Sequence, residues 1–124
     1  MKKISYSEAI RSAFEKSLNK HKDLIILGQG LLSPWYVGNT MNDLNKFNNR
    51  IIDTPVSENA ITSIALGCAS VGMKTIVVHP RMDFMLYAAD PIINQIAKWK
   101  EMFGLKKNIN ITIRAIINRG GEQG

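Results

Sequence analysis

The sequence predicts a three-layer α/β domain on a mostly parallel, doubly wound sheet, and three observations carry that prediction. Short apolar runs, LIIL at 24–27 and TIVV at 75–78, alternate with segments of helical periodicity. The runs lack the in-out alternation of a strand with one wet face, so they read as strands covered on both sides by helices. A chain of 124 residues that is 45% hydrophobic is enough for one domain, 1–124, and one core, near the lower size limit for a doubly covered sheet.

Each element has its own local signal. Ser5-Tyr6-Ser7-Glu8 has the spacing of a capping box, and Ile10, Ala13, Phe14 and Leu18 continue it as the apolar face of a helix ending at 19–22. Leu24 to Leu27 is the first strand, and 28–38, with three glycines, Pro34, Trp35 and Tyr36, is a loop at its carboxyl end. Asn39-Thr40 caps a short helix with Met41, Leu44 and Phe47 turned inward, and Arg50 to Ile52 is a second strand. Glu58 to Gly72 is the central helix, smooth with Ala60, Ala65, Gly67, Ala69 and Ser70. Its surroundings, Ile51, Ile52, Val56, Ile61, Ile64, Leu66 and Val71, all read as buried. Lys74 to Val78 is the third strand, and His79 to Phe84 is a second loop of functional character. Asp90 as cap and Pro91 as first helical residue open a helix whose inner face is Ile92, Ile93, Ile96, Ala97, Lys100 and Phe103, closed by Gly104. Ile109 to Ile117 is the last strand, followed by a glycine-rich end at 118–124. Trp35 and Trp99 read as packing residues.

Composition narrows the function. The single cysteine, Cys68, sits in an apolar helix pattern, which fits a buried thiol in a reducing compartment. The N-terminal segment is interrupted by Ser5, Ser7, Glu8, Arg11 and Ser12, unlike a signal peptide, and no run reaches the roughly 18 apolar residues of a membrane span. A cytoplasmic protein without membrane attachment is expected. The net charge of +6 comes from scattered lysines with no interleaved aromatic platform, so nucleic acid is not the expected partner. Gly28-Gln29-Gly30 lacks the third glycine of a dinucleotide fingerprint and the Gly-Lys of a phosphate loop.

The most informative stretch is Arg50 to Gly72, RIIDTPVSENAITSIALGCASVG. Glu58 stands at the head of a helix that otherwise reads as buried, so its carboxylate is either paired or working; a plain helix-start acid complementing the dipole is the simpler reading. Asp53 reads as a strand-end residue. Together, DTPVSE and the following Ala65, Gly67, Ala69 and Gly72 resemble the beta subunit of thiamine-diphosphate-dependent 2-oxo acid dehydrogenases, specifically its pyrimidine-binding domain, and the likeness covers nearly the whole chain.

That resemblance implies a site. Glu58 matches the family's glutamate, whose carboxylate bonds to the pyrimidine ring nitrogen and drives the proton shift by which the cofactor is activated; apolar surroundings would raise its proton affinity. Phe84 matches the aromatic residue that stacks on the pyrimidine, and Tyr87 could line the same pocket. His79, at the tip of the third strand, is a candidate substrate contact or a satisfied strand-end histidine. Arg81 is a candidate partner for a substrate carboxylate or for Asp83. No metal ligands are expected in this chain: the cofactor's diphosphate and Mg²⁺ would be held by an alpha subunit, with a second beta subunit and a lipoyl-bearing acyltransferase as further partners.

The chain also departs from the family pattern. Gln29 and Gly30 stand where acidic residues usually follow the first strand, and the sequence stops before the family's Gln-His-Ser segment and second domain, as a fragment or split gene product would. The competing functions are a transketolase-like domain acting on sugar phosphates and a non-catalytic α/β interaction module in which Glu58 only caps.

Overall fold

The computed structural model describes residues 3–117. Four strands, β1 (Leu24–Gln29), β2 (Ile51–Thr54), β3 (Lys74–His79) and β4 (Asn110–Ala115), form one sheet in the order β2-β1-β3-β4. Every pairing is parallel, with Ile26 opposite Ile51, Ile26 opposite Ile76, and Ile76 opposite Thr112. Strands run to either side of the β1/β3 pair, so the sheet is doubly wound, and the reversal of strand order falls between β1 and β3. Ligands of open α/β sheets bind outside the carboxyl ends at such a point.

The two faces carry separate cores, as a three-layer fold requires. On one face α1 (Tyr6–Lys20) lays Phe14 and Leu18 against Leu24, Ile26, Ile51 and Val78, joined by Val37, Met41, Leu44 and Phe47 from the β1-to-β2 connection. On the other, α3 (Glu58–Ser70) lays Ile61 and Ala65 against Ile25, Leu27 and Val77. Strand alternation sends the odd-numbered residues of β1 and β3 to α3 and the even-numbered ones to α1. Helix α1 starts in the expected capping box: the Ser5 hydroxyl accepts the Glu8 N–H, and the Glu8 carboxylate accepts the Ser5 N–H at 2.7 Å. At its other end Arg50 Nη1 donates to the carbonyls of Leu18 and His21, each at 2.9 Å, so this arginine ends a 3₁₀ turn (Asn45–Arg50) and ties it to α1 instead of opening β2.

Several expectations are corrected. The 28–38 stretch is shorter as a loop: β1 continues through Gln29, and Pro34–Val37 forms a single helical turn, α2. The segment expected to begin at an Asp90 cap winds from Phe84 onward, with Ala89 already helical. Pro91 has no N–H and its ring crowds the carbonyl four residues back, so the winding opens into a π turn (Asp90–Gln95) before α4 (Trp99–Met102). Asp90 holds that turn from within, accepting from Asn94 Nδ2 and Gln95 Nε2, both at 2.9 Å. Gly104 closes the segment with a positive φ of 59°, as expected.

Burial is narrower than the sequence suggested. Ile64 and Val71 are exposed because α3 covers the sheet with one face and nothing among the described residues covers the other, while Ile52 lies on the edge strand β2 and Val56 in the link that follows it. Ala13, Ala97, Lys100, Ile93 and Phe103 are likewise exposed. Trp35 is 94% exposed and packs nothing, whereas Trp99 is half-buried with its ring 4.4 Å from that of Phe103. The expected end of the last strand at Ile117 moves back to Ala115, and 118–124 lie outside the described residues. No described helix is long and apolar enough to cross a membrane.

Candidate functional site

The carboxyl ends of β1, β2 and β3 and the amino end of α3 meet on one face of the sheet, and the polar side chains there are unusually deep. Residues 54–58 bring the chain from the end of β2 straight into α3, so its first residue, Glu58, stands over the carboxyl edge. Glu58 is 7% exposed. Among the described residues no side chain or backbone group bonds to its carboxylate, whose oxygens are not among the atoms fully sealed from solvent. One helical turn on, Thr62 is fully buried and its Oγ1 is hydrogen-bonded to His79 Nε2 at 3.2 Å.

His79 is the last residue of β3 and is 1% exposed. Its odd register position turns the ring toward α3, and its backbone carbonyl accepts the Ile116 N–H, tying the strand end to the segment after β4. Burial pushes the imidazole's pKa down, and the nearby Glu58 charge partly offsets this. The ring faces the protein interior, where Thr62 is its hydrogen-bond partner.

Two neighbours complete the polar layer. Gln29 ends β1 on the same face, is 5% exposed, and its Oε1 has no hydrogen-bond partner among the described residues. Its register partner on β2, Thr54, has an Oγ1 in the same condition. Asp53 points to the opposite face, where its Oδ1 accepts the Leu31 N–H at 3.1 Å and anchors the loop after β1, the structural role expected of it. Phe84 and Tyr87 lie on the 3₁₀ turn Phe84–Ala88, which packs against α3; Phe84 is half-buried and Tyr87 is 74% exposed. Arg81 is half-buried in the preceding turn, where the Met82 N–H donates to the Ile116 carbonyl.

Thus the fold brings Glu58, His79 and the Phe84 turn to one edge and adds Thr62, Gln29 and Thr54. Thr62 was legible as the residue one turn below Glu58, and Gln29 as the unusual polar end of an apolar strand; Thr54 had no signal of its own. The described residues contain no group of three or more His, Cys, Asp or Glu side chains that could hold a metal ion.

Residues 2–107 match the family model described as transketolase, pyrimidine binding domain. The chain belongs to this transketolase pyrimidine-binding domain family. Among curated relatives, it is 32% identical to the acetoin:2,6-dichlorophenolindophenol oxidoreductase subunit beta of Cupriavidus necator, across 96% of this chain and 38% of that protein. It is 31% identical to the pyruvate dehydrogenase E1 component subunit beta of Cyanidium caldarium, across 86% of this chain and 33% of the relative. The mitochondrial counterpart from Saccharomyces cerevisiae is 29% identical, across 91% and 31%. The chain thus spans about a third of the length of these relatives.

The residues present fit the pyrimidine end of thiamine diphosphate. A carboxyl group with no internal hydrogen bond can share its proton with a pyrimidine ring nitrogen, and the half-buried Phe84 offers an apolar ring on the turn beside α3.

Proposed function

We propose that this domain is the pyrimidine-binding half of a thiamine-diphosphate-dependent 2-oxo acid dehydrogenase, working with an alpha subunit that holds the diphosphate and Mg²⁺. The observation that carries the reading is Glu58, a buried carboxylate without an internal hydrogen bond at the switch point of a transketolase pyrimidine-binding fold. When bound, the cofactor supplies the carbanion chemistry that removes carbon dioxide from a 2-oxo acid. This chain's part is proton handling and positioning. Glu58 holds a proton against the pyrimidine nitrogen, Phe84 stacks on the ring, and Tyr87 lines the rim. Arg81 stands in the turn at the same edge, where its charge suits a substrate carboxylate.

The exposed Val56, Ile64 and Val71 run from the start of α3 to its C-cap, Tyr87 lies on the turn packed against it, and their apolar surface suits burial against the alpha subunit and a second beta subunit. A lipoyl-bearing acyltransferase is the proposed acceptor. In the assembly of this chain with its diphosphate-binding partner, Glu58→Gln is expected to lower turnover by about 10²–10⁴-fold, the range for loss of a positioned acid. Calorimetry should show thiamine diphosphate binding by the assembly and weak binding by the chain alone. An assembly that binds no cofactor, or a Glu58→Ala variant with undiminished turnover, overturns the proposal.

A further inference from the structure

The loop after β1 holds a solvated tryptophan on a fixed base, and the proposed cofactor chemistry makes no use of it. Trp35 is 94% exposed, with the exposed Leu32 and Tyr36 beside it. Tryptophan is ordinarily well buried, and one left in water offers about 150–250 Å² for a partner to cover. The backbone beneath it is tied down at both ends. Leu31 and Val37 are buried in the α1-side core. Asp53 Oδ1 accepts the Leu31 N–H at 3.1 Å, and Thr40 Oγ1 donates to the Val37 carbonyl at 2.7 Å. Between them the Ser33 N–H donates to the Gly30 carbonyl at 2.9 Å, and the N–H groups of Tyr36 and Val37 donate to the Ser33 carbonyl. Gly30 has a φ of 64°, and a Cβ there would stand 2.5 Å from Tyr36 Cγ, so the tyrosine ring lies against the glycine backbone. We propose that Trp35 is the anchor by which this domain docks the diphosphate-binding alpha subunit, on a loop already shaped for it in the free chain.

What covers the loop follows from where it stands. It leaves the carboxyl end of β1 beside the switch point and packs on the α1 side of that edge, while Glu58 stands over the edge from the α3 side. A cofactor with its pyrimidine on Glu58 and its diphosphate held by another chain lies along this edge, so the chain that completes the site comes down on the edge and meets the loop. This placement rests on the function proposed above. The exposed Ile64 and Val71 of α3 belong to the other side of the sheet, where a second copy can pack without using Trp35. Residues 28–38 carry no charge, so the surface they fit is an apolar pocket for the indole, not a charged patch. A loop that is ordered before docking loses little freedom on binding, and a rigid aromatic anchor of this kind carries a large share of the affinity.

The chain has two tryptophans, so fluorine-labelled tryptophan in the full chain gives two NMR resonances, which Trp99→Phe assigns. In the free chain the Trp35 resonance should show a full solvent isotope shift between H₂O and D₂O, and on adding the unlabelled cognate alpha subunit it should lose most of that shift. Trp35→Ala should leave the Tm of the free chain within about 2 °C, because the side chain packs nothing, and should raise the Kd for the alpha subunit by about 30-fold or more. Gly30→Ala keeps every apolar side chain but displaces the Tyr36 ring, and should also weaken binding; an unchanged Kd would overturn the pre-shaped loop. A Trp35 resonance as solvated in the assembly as in the free chain, an unchanged Kd in Trp35→Ala, or a larger fall in its Tm overturns the anchor. So does shielding of Trp35 by raised concentration of this chain alone, which would assign the loop to a second copy. An assembly that forms through Trp35 yet binds no thiamine diphosphate would sink the dehydrogenase reading and leave the docking standing; an alpha subunit that does not bind at all overturns both.

Discussion

Gly28 sets the closeness of the two central strands, and Gly28→Ala measures what that closeness is worth. A Cβ at position 28 would stand 2.5 Å from the Val78 carbonyl oxygen, 3.0 Å from Leu31 Cδ2 and 3.2 Å from Val78 Cβ. The tightest of these is a backbone atom, so no rotamer change relieves it. Restoring an ordinary contact of about 3.4 Å means moving β1 roughly 0.9 Å from β3, enough to pull the ladder bonds beside Gly28 past good hydrogen-bond length. Leu31 is 1% exposed and cannot give way into solvent. Overpacking of this kind costs about 2–3 kcal/mol. For a chain of this length the entropy of unfolding is about 0.26 kcal/mol/K, so Tm should fall by about 8–12 °C. Differential scanning calorimetry of the wild-type chain and the variant reads this directly. A decrease under about 3 °C would show that the sheet yields freely at its centre, and the argument from close approach would be wrong.

Other perturbations probe the α1 layer. Arg50→Ala removes both 2.9 Å bonds to the Leu18 and His21 carbonyls, along with a guanidinium 5.2 Å from the Phe47 ring centre. It should cost about 2 kcal/mol in urea denaturation, with Arg50→Lys recovering less than half, because an ammonium loses the planar guanidinium's contact with the Phe47 ring. At Glu8, bonds from the Ser5 N–H and then the Ser5 hydroxyl hold the carboxyl below its ordinary range. The support it gives α1 is therefore present above about pH 4.3 and is lost as pH falls through the lower folded value. Glu8→Gln should flatten the loss of helical circular dichroism between about pH 5 and 3; a slope equal to wild type would argue against this cap as an acid-sensitive point.

The sequence revealed the layers more readily than the edges. LIIL and TIVV, flanked by helical periodicity, identified the two central strands because a doubly covered strand has no polar positions to interrupt it. Ser5 and Glu8 identified the start of α1 because a capping box is a purely local arrangement. The Pro91 segment misled for the same reason: Asp-Pro is a local start signal, and here neighbouring packing already holds Ala89 helical, so the proline opens a π turn within the winding. Exposure of Ile52, Val56, Ile64 and Val71 was illegible, since an apolar residue looks the same whether its covering comes from this chain or another. At the site, Glu58 stood out as an acid in an apolar setting. The inward turn of His79 depends on the register of β3 against α3, which no local pattern encodes.

The unequal make-up of the two cores bears on the order of folding. Apart from Val78 and the Ile76 and Ile116 contacts at its edge, the α1-side core draws on residues from Ile10 to Ile51, a contiguous first part of the chain. The α3-side core needs Ile25 and Leu27 to meet Val77 across a long crossover. Loop-closure entropy favours the first and delays the second. The layer that carries Glu58, Thr62 and His79 is therefore the last to condense, onto a half-built sheet already fixed on its other side. Slow steps in folding then fall on the functional face, and a chain that misfolds will most often do so with its α1 half already native.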